Sequence, residues 1–237
     1  MRQDTVALLA EISQIESISA FTLVGGTAIS LHANHRVSED LDFAMLETTI
    51  NRIAIDTVLN RLRQSHMVTL ALKPFDIDNA TNEGVDLLDH HQDWLVDAVK
   101  ITFFAMGENA RERDALKVFH TTKMGYVNVM ELDGLFVSKC LVLTERIKSR
   151  DIFDLWWMVK HNDKPIESIF GVIQELKPHI PYETIRARLL SYTIPASDEG
   201  LESLIDITIE QVRAELTEEV NAMEIREASA MLNKSSE

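Results

Sequence analysis

Apolar residues recur near helical spacing at Val6, Leu8, Leu9, Ile12 and Ile15, which predicts an amphipathic helix over residues 4–18. The pattern then tightens to a continuous apolar run, Phe21 to Val24, as in a buried strand. Gly25-Gly26-Thr27 stops that strand, and Ala28 to His32 turns helical. Asp40-Leu41-Asp42-Phe43 alternates polar with apolar. Read as a strand, it puts both carboxylates on one face and Leu41 and Phe43 on the other. Ile50, Ile53, Val58, Leu59 and Leu62 form the apolar stripe of a helix capped by Thr48 or Thr49 and running to about Gln64, with Arg52, Arg61 and Arg63 outside. Further strands are expected over Met67 to Leu72, Val85 to Leu88, within Trp94 to Met106, and over Val127 to Met130; residues 75–84 read as a turn or hairpin. From Leu132 the chain turns helical, and Pro165 to about Asn233 reads as three or four helices punctuated by Pro178, Pro181 and Pro195. The expected architecture is α/β (α+β). A small mixed sheet with flanking helices occupies residues 1–130, and a helical C-terminal domain, residues 131–237, completes the active site.

Two features of the first unit carry chemistry. A glycine pair between strand and helix lets backbone approach a ligand, with helix N–H groups aimed at an arriving anion. Two carboxylates side by side repel unless a cation lies between them, and Mg²⁺ accepts one or two carboxylates together with phosphate oxygens. Phosphate cradle plus carboxylate pair suggests metal-assisted nucleotidyl transfer. Either feature alone is commonplace: most Gly-Gly pairs are turns, and exposed strand faces are often acidic.

Charge narrows the partners. The 237 residues carry 23 Lys/Arg against 38 Asp/Glu, a net charge of −15, which argues against a broad nucleic-acid-coating surface. Residues 111–150 nonetheless hold eight Lys/Arg against five Asp/Glu. Arg111, Arg113, Lys117 and Lys123 are therefore the candidate contacts for an RNA backbone. Cys140 is the only cysteine, so neither an internal disulfide nor a cysteine-rich zinc site is expected. No apolar run approaches a membrane span and no N-terminal signal pattern is present, so a cytoplasmic protein is expected.

Gly25-Gly26-Thr27 followed by His35-Arg36-x-Ser38-x-Asp40-Leu41-Asp42-Phe43 resembles the first motif of the polymerase β-like nucleotidyltransferases. More narrowly it resembles the AbiEii/AbiGii toxin family. A second stretch, Lys139-x6-Arg146-x-Lys148-x-Arg150-Asp151-x2-Asp154-Leu155, is similar to that family's second motif. On the residues alone, Lys139 and Arg146 share a helix face, as do Asp151 and Asp154. A lysine neutralises triphosphate charge as it grows, and an aspartate orients that lysine or takes a proton from the attacking hydroxyl. The bland alternative is an ion-pair network between helices.

The resemblance implies an NTP-dependent nucleotidyltransferase, the toxin of a toxin–antitoxin or abortive-infection pair. Asp40 and Asp42 would hold Mg²⁺ (or Mn²⁺), with Lys139 and Asp154 catalytic beside them. Gly25, Gly26, Thr27, Arg36, Ser38, Arg146 and Asp151 would lie around the nucleotide. The acceptor would be RNA, tRNA in some relatives, and an antitoxin would be the partner protein. One departure stands out: the superfamily position for a third metal-binding acid aligns with Thr102. Asp97, Asp93 and Asp86 are the alternatives. A small-molecule acceptor, such as an aminoglycoside or sugar phosphate, and a catalytically silent binding module on the same fold are the rival readings.

Overall fold

The computed structural model describes residues 1–72, 80, 82, 84, 86–106, 109–190 and 206–234. The chain forms two compact units, Met1–Leu135 and Phe136–Glu237.

The first unit is built on a seven-stranded sheet of order β3-β4-β5-β2-β1-β7-β6. Its strands are β1 (Thr22–Val24), β2 (Leu41–Met45), β3 (Val68–Leu70), β4 (His91–Val96), β5 (Val99–Ala105), β6 (Thr121–Met124) and β7 (Val127–Met130). The pairs β2/β5 and β1/β7 are parallel; the other neighbours are antiparallel. Leu23, Phe43, Phe103 and Gln92 lie side by side across four strands, and Leu41 lies beside Ile101. Side chains in register share a face, so this is the apolar face of the sheet. Phe43 stacks on Phe103 at 5.5 Å between centroids, and Phe21 meets Phe103 edge-on at 5.1 Å. The helices of this unit are α1 (Gln3–Ile12), α2 (Gly25–Ala33), α3 (Arg52–Leu62) and α4 (Ala110–Lys117). Leu9 and Ile12 of α1, and Ile55, Val58 and Leu59 of α3, are buried.

Several boundaries differ from expectation. α1 stops at Ile12, and a 3-10 helix over Glu16–Ala20 follows where the amphipathic helix was expected to continue. Asn51, not Thr48 or Thr49, caps α3 by accepting from the Ala54 N–H, and Ile53 points to solvent. The stretch expected as a strand at 85–88 is a 3-10 helix over Leu87–Asp89, because the Asp86 side chain accepts from the Leu88 N–H. The expected turn at 75–84 lies almost wholly outside the described residues.

α5 (Leu132–Leu143) carries the chain into the second unit, followed by α6 (Ser149–His161), α7 (Glu167–Leu176), α8 (Tyr182–Leu189) and α9 (Ile209–Lys234). Phe153, Leu155 and Met158 of α6, Ile169 and Ile173 of α7, Leu189 of α8, and Val212, Leu216 and Val220 of α9 form its core. Polar clamps set the helices' positions. Trp156 Nε1 donates to Glu215 at 3.0 Å, Lys160 pairs with Glu219 at 2.9 Å, and Arg186 with Glu224 at 2.7 Å. Phe170 stacks on Tyr182 at 4.7 Å.

Candidate active site

The carboxylate stretch is placed by the β1–α2–β2 unit. Asp42 pairs with Val24, the residue before Gly25, so its side chain stands over the first residue of α2. Gly25 has φ +71°, and a Cβ there would lie 2.5 Å from Asp42 Oδ2. A Cβ on Gly26 would run into the Arg36 guanidinium. Both glycines therefore make room for protein side chains: a carboxylate over the first, a guanidinium over the second. That physical reason for the pair differs from the phosphate approach expected from sequence.

The loop from Asn34 to Asp40 is pinned through its backbone. Ser30 Oγ donates to the Arg36 carbonyl at 3.0 Å, Thr5 Oγ1 to the Glu39 carbonyl at 2.8 Å, and the Arg2 N–H to the Ser38 carbonyl at 3.2 Å. Thr27, fully buried, donates to the Asp40 carbonyl and is hydrogen-bonded to Ser38 Oγ at 2.8 Å. Thr27 and Ser38 are thus neighbours that fix the loop bearing Asp40. Asp40 itself sits one residue before β2, while Asp42 is within the ladder; the expected strand begins one residue late.

Asp42 lies beside Thr102, and Thr102 beside Asp93, across β2, β5 and β4. Thr102 Oγ1 donates to Asp93 Oδ1 at 2.8 Å. Lys100 reaches Asp93 Oδ2 at 2.8 Å and His91 Nε2 lies 3.0 Å from Oδ1. Burial pushes the Asp93 carboxyl up, but His91, Lys100 and Thr102 outweigh it and hold it well below the usual carboxylate range. Asp97 is committed elsewhere, 2.7 Å from His66 Nδ1, and Asp86 pairs with Arg52 at 3.0 Å. Among the described residues no group of three or more His, Cys, Asp or Glu could hold a metal. The donor set of Asp40 and Asp42 is two hard oxygen ligands, which suits a Mg²⁺ whose remaining positions go to water and phosphate.

In the second unit, Lys139 is buried between two carboxylates. Its Nζ lies 2.6 Å from Asp151 Oδ1 and 2.7 Å from Asp154 Oδ2, and Arg146 Nε reaches Asp151 Oδ2 at 3.0 Å. Asp151 and Asp154 are 1% and 0% exposed as side chains. Burial pushes the Asp151 carboxyl up, while Lys139 and Arg146 pull it further down, so the net shift is downward. Asp151 therefore holds both Lys139 and Arg146. Sequence spacing put Lys139 with Arg146 and Asp151 with Asp154; it did not show that a single lysine bridges both aspartates. Of the expected RNA contacts, Arg111 and Lys123 are exposed and Lys117 is paired with Glu47 at 3.0 Å.

Residues 7–228 match the family described as nucleotidyl transferase AbiEii toxin of type IV toxin–antitoxin systems. The chain belongs to the AbiEii nucleotidyltransferase toxin family. Both stretches that resemble the family in sequence lie inside the match. No protein of curated function matches the chain. Among solved structures, JHP933 from Helicobacter pylori is similar at TM-score 0.53 with 15% identity over 100% of both chains. A putative nucleotidyltransferase from the same organism is similar at TM-score 0.52 with 14% identity, covering 95% of this chain and 97% of its own. At these identities the likeness is one of fold, and the fold of this AbiEii member is that of a nucleotidyltransferase. No helix among the described residues is long and apolar enough to cross a membrane.

Proposed function

We propose that the chain transfers a nucleotide from an NTP to an RNA acceptor, tRNA in the most specific form, as the toxin of a pair whose antitoxin is encoded beside it. The carrying observation is the placement of Asp42 over Gly25 at the start of α2. It supports a metal and a phosphate meeting at one helix N-terminus, where backbone dipoles favour negative charge. Asp40 and Asp42 would hold Mg²⁺, which when bound neutralises phosphate charge and polarises the transferred phosphorus. Gly25, Gly26 and Thr27 shape the loop that receives the phosphates, and Arg36 and Ser38 hold that loop in place. Transfer also requires Lys139, whose ammonium Asp151 and Asp154 hold in place at 2.6 and 2.7 Å. Preorganised positive charge of this kind lowers the barrier because it needs no reorganisation as the transition state forms.

The test is incubation with each labelled NTP, Mg²⁺ and total RNA, beside Asp42→Asn and Lys139→Met. Label in an RNA band, lost in both variants, supports the proposal. Label only in small molecules replaces the acceptor, and label that survives Asp42→Asn removes the assigned metal site.

A further inference from the structure

The site has two carboxylates where the superfamily pattern leads one to look for three, and the sheet register shows what stands in the third place. Thr102 is the neighbour of Asp42 on the next strand, in register and 7% exposed. A threonine hydroxyl has one proton and two lone pairs. Here the proton goes to Asp93 at 2.8 Å. Asp93 cannot take a metal in its own right. It lies two strands from Asp42, roughly 9.5 Å at the usual strand spacing, and both its oxygens are engaged by Thr102, His91 and Lys100. What it does is fix the direction of the Thr102 hydroxyl.

We propose that Thr102 is a positioning residue of the carboxylate site. With its proton on Asp93, its oxygen accepts a hydrogen bond from a water bound to the divalent cation that Asp40 and Asp42 hold. This rests on the metal-site reading above. The spacing suits it. Asp42 and Thr102 are in register on neighbouring strands, which lie about 4.8 Å apart, so a single water can bridge an ion on Asp42 to the Thr102 oxygen. A carboxylate at this position would bind the ion directly and add a charge. The hydroxyl instead leaves one more water on the ion and one less negative charge beside the phosphates. Lys100 and His91 hold the Asp93 carboxylate in place at 2.8 and 3.0 Å and, with Thr102, keep its pKa below the usual carboxylate range, which fixes the acceptor that orients the hydroxyl.

The experiment is Mn²⁺ binding to the full chain, read by the electron paramagnetic resonance signal of the free ion, with no nucleotide present. Thr102→Val keeps shape and removes the hydroxyl; Thr102→Ser keeps the hydroxyl. Loss of an outer-sphere partner typically weakens metal affinity by about 10–100-fold. That loss is expected in Thr102→Val, with Thr102→Ser within a few-fold of wild type and Asp42→Asn losing the site. Wild-type affinity in Thr102→Val, or equal loss in Thr102→Ser, overturns the role of Thr102 while Asp42→Asn still reports on the metal site. If Asp42→Asn binds Mn²⁺ as wild type does, or wild type binds none, the metal-site reading fails and this inference falls with it.

Discussion

Replacing Lys139 by Met keeps the aliphatic stem and removes the charge shared by Asp151 and Asp154. Both carboxylates are buried, and Lys139 touches them at 2.6 and 2.7 Å. Arg146 still serves Asp151 at 3.0 Å, so the main loss falls on Asp154. Removing one partner of a buried ion pair typically costs about 3–5 kcal/mol, because a desolvated charge is left behind. With an urea slope of about 3 kcal/mol per M, the midpoint should fall by roughly 1–1.7 M. Trp156 and Trp157 lie on the same helix as both aspartates, so with Trp94 of the first unit replaced by Phe in every variant, tryptophan fluorescence follows this unit. The pH dependence has a defined sign. In the wild type the Asp151 pKa is lowered, so its contribution is full above the ordinary carboxylate range and lost as pH falls through the folded value. In Lys139→Met the buried carboxylates that have lost the ammonium penalise folding above that range, and acid relieves it, so the gap between the proteins narrows from pH 7 to pH 4.5. Adding Asp154→Asn to Lys139→Met should recover at least about 1 kcal/mol. An unchanged midpoint in the single variant, or a double variant less stable than the single, would refute the picture of a buried shared charge.

Three further outcomes are expected. Gly25→Ala should cost about 1–3 kcal/mol and abolish transfer, because φ is +71° and the new Cβ meets Asp42; wild-type melting and activity together would refute the packing. Arg213 is 6% exposed, and its Nε and Nη2 have no hydrogen-bond partner among the described residues, so Arg213→Met should raise the melting temperature, with stability rising by about 1–3 kcal/mol; a lowered one speaks against two unsatisfied buried donors. His66 lies 2.9 Å from Glu11 and 2.7 Å from Asp97, and these, Glu11 first, raise its pKa. Its contribution of about 0.5–1 kcal/mol is therefore full below the unfolded value near 6.5 and lost as pH rises through the folded one. His66→Gln should match wild type at pH 9 and fall below it at pH 5.5, as chemical denaturation at both pH values will show.

The β1–α2–β2 unit was legible because each signal in it is local. An apolar run, a glycine pair and an alternating acidic strand fall in one short stretch, and their spacing dictates their faces. Lys139 stood out for the same reason, a charge within the apolar run of Leu135, Phe136, Cys140 and Leu141. The misses were set by competing caps and by register. Asn51 lies nearer the first helical turn than Thr48 and wins the cap, and the Asp86 side chain bends 86–89 into a 3-10 turn that apolar content alone reads as strand. α4 gave no apolar stripe: within it Leu116 is buried beside the charged Glu112. The bond between Thr102 and Asp93 depends on how β4 folds back on β5, with Asp97 at positive φ in the turn, and no periodicity within either strand reports that.

The out-of-sequence layout of the sheet sets when the enzyme can exist. β2 makes its second pairing with β5, Asp42 against Thr102, and β1 makes its own with β7, Leu23 against Val129. At about 5–20 residues per second, roughly 5–20 s of synthesis separate the emergence of β1 from that of β7. Until β5 emerges, the strand that carries Asp42 has only β1 to pair with, and an isolated two-stranded unit is marginal in water; β7 and Lys139 lie still further along the chain. With the proposed site residues Asp42 and Lys139 emerging at opposite ends of this interval, a nascent copy on the ribosome shows exposed strand edges before it has both, and that is the interval in which chaperones or proteolysis can act on it.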